Sequence, residues 1–369
     1  MSSLTSGGAI RVGNMCAQGR VPEKIIRPAS KRIHDNILTG YGVDKRIASP
    51  RITEPGLIAS PGPWPATIYT GLVCVPAHPL RIAAIRFVNP APLMWDFEHP
   101  PLNHELASRY QIDYMLPSEC ADRLAAGSAD IGLVPIASLA VMPQLRVLPG
   151  CTIASKRCVR SLLLVRRANQ PLARLRTVAA DTASRTTIAH ARILFHHWGN
   201  PSVEFVPMPG DLDVMLDRAE AAIVIGDPAL LSLEERANRE ERTGEELVYH
   251  DLAEEWRAVT GLPFVSAVWG VAPGTIASSA TAWGNSLEEI IAKDLVRSRD
   301  HGLRNIDALA TEWAARLPLP EDVIHAYFTS NIHYILDEEC VEGMRCFFRK
   351  AAELGILPAY DFSMNAMAV

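Results

Sequence analysis

At residues 177–180 a short run of β-branched and small apolar residues, Thr-Val-Ala-Ala, leads straight into Asp-Thr-Ala-Ser-Arg-Thr-Thr at 181–187. An apolar-patterned stretch then continues through Phe195. A strand feeding a turn that opens a helix is half of a β–α–β unit, and it commits the chain to an α/β sheet. The first turn of a helix carries unpaired N–H groups and the positive end of the dipole, so it is a ready anion site. Thr182, Ser184, Thr186 and Thr187 add hydroxyl donors there, and Arg185 adds a planar cation suited to a carboxylate. The same residue types serve equally as plain helix caps, and both roles stay open.

The alternation extends to either side. Residues 81–88 read as a strand ending at Asn89-Pro90, and 110–116 as a second. Ser118 is expected to cap a helix closed by Gly127, and the apolar run 130–136 reads as a buried strand. A further strand spans 159–165 and ends in Arg166 and Arg167. After the 177–195 unit come a strand at 203–207, a helix at 211–219 and a strand at 221–225 stopped by Gly226-Asp227-Pro228. Residues 264–271 are strand-like, and the C-terminal hundred residues are mainly helical. Helical patterning that returns after an inserted α/β unit predicts two lobes. The first comprises 79–166 and 266–369, and the second 167–265. Residues 1–78, rich in Pro, Gly, Ser and basic side chains without sustained pattern, read as a disordered or loosely packed N-terminal extension.

Composition narrows the partners. The 369 residues are 48% hydrophobic and 21% charged with a net charge of −5, which argues against nucleic acid or an anionic membrane. No run approaches the length of a membrane span. The first residues lack a basic stretch followed by an apolar core, so a cytoplasmic location is expected. The seven cysteines form no CxxC pair, and GxGxxG, P-loop and HExxH patterns are absent. His190, His196 and His197 share a helix in no ligand spacing and read as packing or surface residues. No metal and no cofactor are expected.

In open α/β sheets ligands bind beyond the carboxyl ends of strands. Those ends are Asn89, residues 135–138, residues 181–187 and Gly226-Asp227, while Ser155 and Ser161 lie around the crossing between lobes. Each has a plainer role beside the functional one. Asn89 before Pro90 is a good turn former, Ser155 could be satisfied by nearby backbone, and Asp227 before Pro228 could cap a helix. A cleft of amides, hydroxyls and one or two charges suits a small polar anion.

Eight blocks of the chain, in order, resemble the chorismate dehydratase family of the futalosine route to menaquinone. They are 85–93 (Ile-Arg-Phe-Val-Asn-Pro-Ala-Pro-Leu), 130–135 (Asp-Ile-Gly-Leu-Val-Pro), 153–164 (Ile-Ala-Ser-Lys-Arg-Cys-Val-Arg-Ser-Leu-Leu-Leu) and 181–186 (Asp-Thr-Ala-Ser-Arg-Thr). The others are 205–209 (Phe-Val-Pro-Met-Pro), 225–230 (Ile-Gly-Asp-Pro-Ala-Leu), 249–256 (Tyr-His-Asp-Leu-Ala-Glu-Glu-Trp) and 260–264 (Thr-Gly-Leu-Pro-Phe). The resemblance implies a two-lobed type II periplasmic-binding-protein-like fold with the ligand cleft between lobes. It also implies a cytoplasmic lyase that dehydrates chorismate to 3-[(1-carboxyvinyl)oxy]benzoate and water, with chorismate as partner and no cofactor. By this resemblance Asn89 and Ser155 are the expected catalytic contacts. Ser161, Thr182, Ser184, Arg185, Thr186 and Asp227 are the expected substrate-binding residues. The first block departs from the family in reading Asn-Pro-Ala-Pro, where relatives carry a small polar and a basic residue after the asparagine. A dihydroxynaphthoate synthase of the same route and a non-catalytic module for small anions are the alternatives.

Overall fold

Eleven strands are present among residues 78–275 and 286–362, which are the residues that the computed structural model describes. In chain order the first six are β1 (Leu80–Ile85), β2 (Tyr110–Met115), β3 (Ile131–Pro135), β4 (Arg146–Ser155), β5 (Leu162–Arg167) and β6 (Thr177–Asp181). The remainder are β7 (Glu204–Met208), β8 (Ala221–Ile225), β9 (Leu247–Asp251), β10 (Phe264–Val271) and β11 (His333–Leu336). They form a six-stranded sheet of order β11-β4-β10-β3-β1-β2 and a five-stranded sheet of order β7-β6-β8-β5-β9. In each sheet three strands run parallel, β2-β1-β3 and β7-β6-β8, and antiparallel strands complete it. The chain thus enters the first sheet, crosses to the second through residues 156–161, and returns through residues 252–263.

The helices that bear on the space between the sheets are α1 (Pro117–Ala125), α2 (Ala137–Val141), α3 (Arg185–His197), α4 (Leu212–Arg218) and α5 (Gly226–Glu234). They are followed by α6 (Leu252–Thr260), α7 (Ser286–Arg304), α8 (Glu321–Ala326) and α9 (Glu338–Glu353). Polar caps start several of them. Ser184 Oγ accepts from Thr187 N at 3.3 Å for α3, and Asp211 takes Val214 N at 3.1 Å for α4. Asp337 takes Cys340 N at 2.9 Å for α9. The helix expected from Ser118 begins one residue earlier, at Pro117, and its cap is different. The Glu119 carboxylate reaches back to Leu116 N at 2.8 Å, and Ser118 instead donates its backbone N–H to Ala183 O at 3.0 Å.

The strand period of two divides the core. In β5, Leu162 and Leu164 join the large cluster, while Leu163 and Val165 face a smaller one with Met208, Met215 and Leu216. In β8, Ile223 and Ile225 fall in the first cluster, and Ala222 and Val224 in the second. The large cluster also includes residues of β1, β3 and β10, so one apolar core is continuous from the first sheet to the second.

The expected lobe boundaries need correction. Residues 162–166 were assigned with the first lobe, yet β5 pairs with β8 and β9 in the second sheet. Residues 264–265 open β10 and belong to the first sheet. A buried strand has the same apolar run in either sheet, although the Arg166-Arg167 pair does close β5 as read. There Arg167 Nε meets Glu245 at 3.1 Å. The N-terminal extension falls outside the described residues except for its last position, as do residues 363–369. Among the described residues no helix is long and apolar enough to cross a membrane.

Candidate functional site

Where β1, β3, β4, β8 and β10 converge, a narrow space separates the two sheets. Its cavity volume is about 30 Å³, room for little more than a water molecule. The walls are mostly apolar: Ile85, Phe87, Pro117, Pro135, Ile153, Val159, Leu162 and Ile225. Asn89, Ser161, Ser184, Thr187 and Ser266 supply the polar side chains, and no charged residue lines the space. Ligand pockets enclose about 300–1,000 Å³. In this state the space is far smaller than that, with the lobes drawn together over it.

Asn89 stands just beyond β1, in a turn closed by Ala91 N donating to Val88 O at 3.1 Å. A turn-forming asparagine ordinarily gives its Oδ1 to a nearby backbone N–H. Here Asn89 Oδ1 is buried with no protein partner. Turn formation therefore does not account for the side chain. On the opposite wall the hydroxyls are satisfied. Ser184 Oγ takes both Thr187 N and, at 3.1 Å, Thr187 Oγ1, and Ser161 Oγ accepts from Tyr327 Oη at 2.7 Å.

The expected residues divide into three groups. Asn89, Ser161 and Ser184 line one space. Thr186 and Asp227 join the lobes: Ala137 N donates to Thr186 Oγ1 at 3.0 Å, and Val88 N donates to Asp227 Oδ1 at 2.9 Å. Asp227 does not cap α5, whose cap position is Ile225. Burial pushes its carboxyl up to about 7, against the lowering pull of Val88 N–H and Arg86. Ser155, Thr182 and Arg185 do not line the space. Ser155 is buried at the end of β4, its Oγ 3.4 Å from Arg157 N. Thr182 is exposed. Arg185, the first residue of α3, points outward and pairs with Asp122 of α1 at 2.6 Å. It therefore contributes a surface bridge between the lobes in this state and no charge to the cavity.

Neighbouring backbone supports this arrangement. Gly226 adopts φ +63, and a Cβ there would sit 2.6 Å from the Phe87 ring, so only glycine lets the walls meet. Asp251, at the end of β9, accepts from Val159 N at 2.9 Å and Arg160 N at 2.6 Å with one oxygen. Its other oxygen caps α6 through Ala253 N at 3.0 Å and Glu254 N at 3.2 Å. His190 is fully enclosed against Phe264, with ring centroids 3.9 Å apart, and burial lowers it to about 3. It is a neutral packing residue.

Sequence reasoning missed Ser266 and Tyr327. Ser266 is the lone hydroxyl in the otherwise apolar β10, and that break in pattern was the available signal. Tyr327 reads locally as one more apolar position of a helical face. The residues best able to hold a metal among those described are His333, Asp337 and Cys340. The Lys156 ammonium lies 2.7 Å from Asp337 Oδ2, where a cation would bind.

Similar folds occur among solved structures. A protein of Archaeoglobus fulgidus matches with a TM-score of 0.60 at 13% identity, over 76% of this chain and 99% of that one. A Candida albicans protein described as exhibiting the generic periplasmic binding protein structural fold matches with a TM-score of 0.53 at 15% identity, over 77% of this chain and 92% of that one. The alkanesulfonate-binding protein of Xanthomonas axonopodis pv. citri, bound to MOPS, gives 0.50 at 15% identity, over 76% and 94%. These likenesses establish the periplasmic-binding-protein fold. A family model described as menaquinone biosynthesis matches residues 80–353. With the match spanning both sheets and the space between them, the chain belongs to the menaquinone-biosynthesis family.

Proposed function

We propose that the protein is a cytoplasmic chorismate dehydratase, a lyase that converts chorismate to 3-[(1-carboxyvinyl)oxy]benzoate and water. The observation that carries this reading is the buried, unpartnered Oδ1 of Asn89 on the wall of the interlobe space. A buried acceptor left unpaired costs roughly 1–3 kcal/mol. The ring hydroxyl of chorismate is a donor of the kind it lacks. In the reaction a ring C–H and the ring C–OH bond break, the electron pair of the C–H bond completes an aromatic ring, and water departs. No oxidant is needed, and aromaticity makes the change strongly downhill. Asn89 holds the leaving hydroxyl in line, and the apolar walls exclude bulk water.

The lack of charge in the lining bears on the proton acceptor. Carboxylates taken out of water without a paired cation become more basic. A substrate carboxylate held among Ser161, Ser184, Thr187 and the first turn of α3 is solvated by dipoles rather than neutralised by an ion pair. It is then basic enough to take the ring proton itself. For chorismate to enter, the lobes must part, breaking Val88–Asp227, Ala137–Thr186 and Ser118–Ala183. Incubation of the purified protein with chorismate, followed by mass detection of the benzoate product, tests the reading. Binding of chorismate without loss of water would leave a small-anion module instead.

A further inference from the structure

Tyr327 is buried, with 1% of its surface exposed, and is not part of the cavity wall. Its hydroxyl nevertheless reaches Ser161 Oγ, which is. A phenylalanine would fill the same apolar slot beside Phe328 without a buried hydroxyl to satisfy. Tyr327 also opens a π-helical turn, Tyr327–Asn331, between α8 and β11. At the far end of that turn Asn331 Nδ2 donates to Cys158 O at 3.1 Å. The turn therefore grips the 156–161 crossing at two points. Such turns are rare and concentrate at functional sites.

A serine hydroxyl has one proton and two lone pairs. With the Tyr327 proton on one lone pair, Ser161 keeps its own proton and its second lone pair for the cavity. Burial holds the Tyr327 phenol far above its ordinary range, so it remains a donor at any working pH. We propose that Tyr327 is a positioning residue: its buried hydroxyl orients Ser161 so that Ser161 donates its proton to the bound substrate. The proposal rests on the dehydratase reading above, with Ser161 in contact with chorismate.

The test is a double-mutant cycle on the full chain with Tyr327→Phe, Ser161→Ala and the pair combined, assayed on chorismate. Tyr327→Phe should lower kcat about tenfold and leave KM within about twofold. The double variant should be no slower than Ser161→Ala alone. Losses that multiply, or wild-type kcat in Tyr327→Phe, would overturn the proposal, and so would an unfolded Tyr327→Phe. Chorismate affinity is measured calorimetrically on the same samples. If the wild type binds chorismate without turnover, the dehydratase reading falls and the cycle is read in dissociation constants. If it neither binds nor reacts, both fall together.

Discussion

The two walls of the interlobe space treat their polar atoms in opposite ways. On the wall built from β1, Asn89 presents a buried acceptor with no protein partner. On the wall built from the second lobe, Ser184 and Thr187 bond each other, and the adjoining Ser161 is held by Tyr327. An unpaired group is available to a ligand at no cost of breaking a prior bond. A paired one provides shape and fixed dipoles. On the proposed dehydratase reading, recognition of the reacting hydroxyl belongs to the first wall and an uncharged bed for carboxylate to the second.

The contrast breaks most visibly at Asn89. Asn89→Ala should lower kcat/KM for chorismate by at least about 100-fold, near 2.7 kcal/mol, with an unchanged circular dichroism spectrum. Wild-type turnover in that variant would remove Asn89 from the chemistry. Gly226→Ala asks whether the walls must meet. The added Cβ lands on Phe87 at a backbone angle that disfavours it, and strain of roughly 1–3 kcal/mol is expected. Catalytic efficiency should fall about tenfold while secondary structure is retained; unaltered kinetics would show that this contact is not needed for reaction.

Asp227 sharpens the comparison through pH. Its carboxyl lies at about 7 in the folded protein, above the ordinary 3.8, so the folded state keeps a proton that the unfolded chain loses first. The stability it contributes is fully present below about pH 4 and is lost as pH rises through about 7. Denaturant unfolding of Asp227→Asn should lack that part of the slope. Parallel stability curves for the variant and the wild type would place the carboxyl in ordinary solvent. The smallest effect is expected at Arg185, whose pair with Asp122 is 45% and 59% exposed. Such surface pairs contribute about 0–1 kcal/mol. Arg185→Ala should leave KM within about twofold, and a rise beyond about tenfold would return the guanidinium to substrate binding.

Much of the architecture is legible in local pattern, because β3 and β8 are buried along their whole length and read as continuous apolar runs, and a hydroxyl cap marks α3. Sheet membership is not local. Leu162–Val165 would read the same beside β4 as beside β8, so the crossing was set five residues late. The site divides along the same line. Asn89 and Ser184 sit at strand and helix ends, where sequence reasoning looks first. Arg185 was grouped with them by adjacency, yet successive helix positions differ by roughly 100° and can face different surroundings. Tyr327 is 166 residues from Ser161, and no spacing rule links them.

Asp251 has a mechanical consequence. One carboxylate holds Val159 and Arg160 of the outgoing connection and the opening residues of α6 on the return. Two separate straps would let the lobes twist, slide and swing. Straps joined at one buried point share a pivot, which removes sliding between the lobes and leaves rotation about that point.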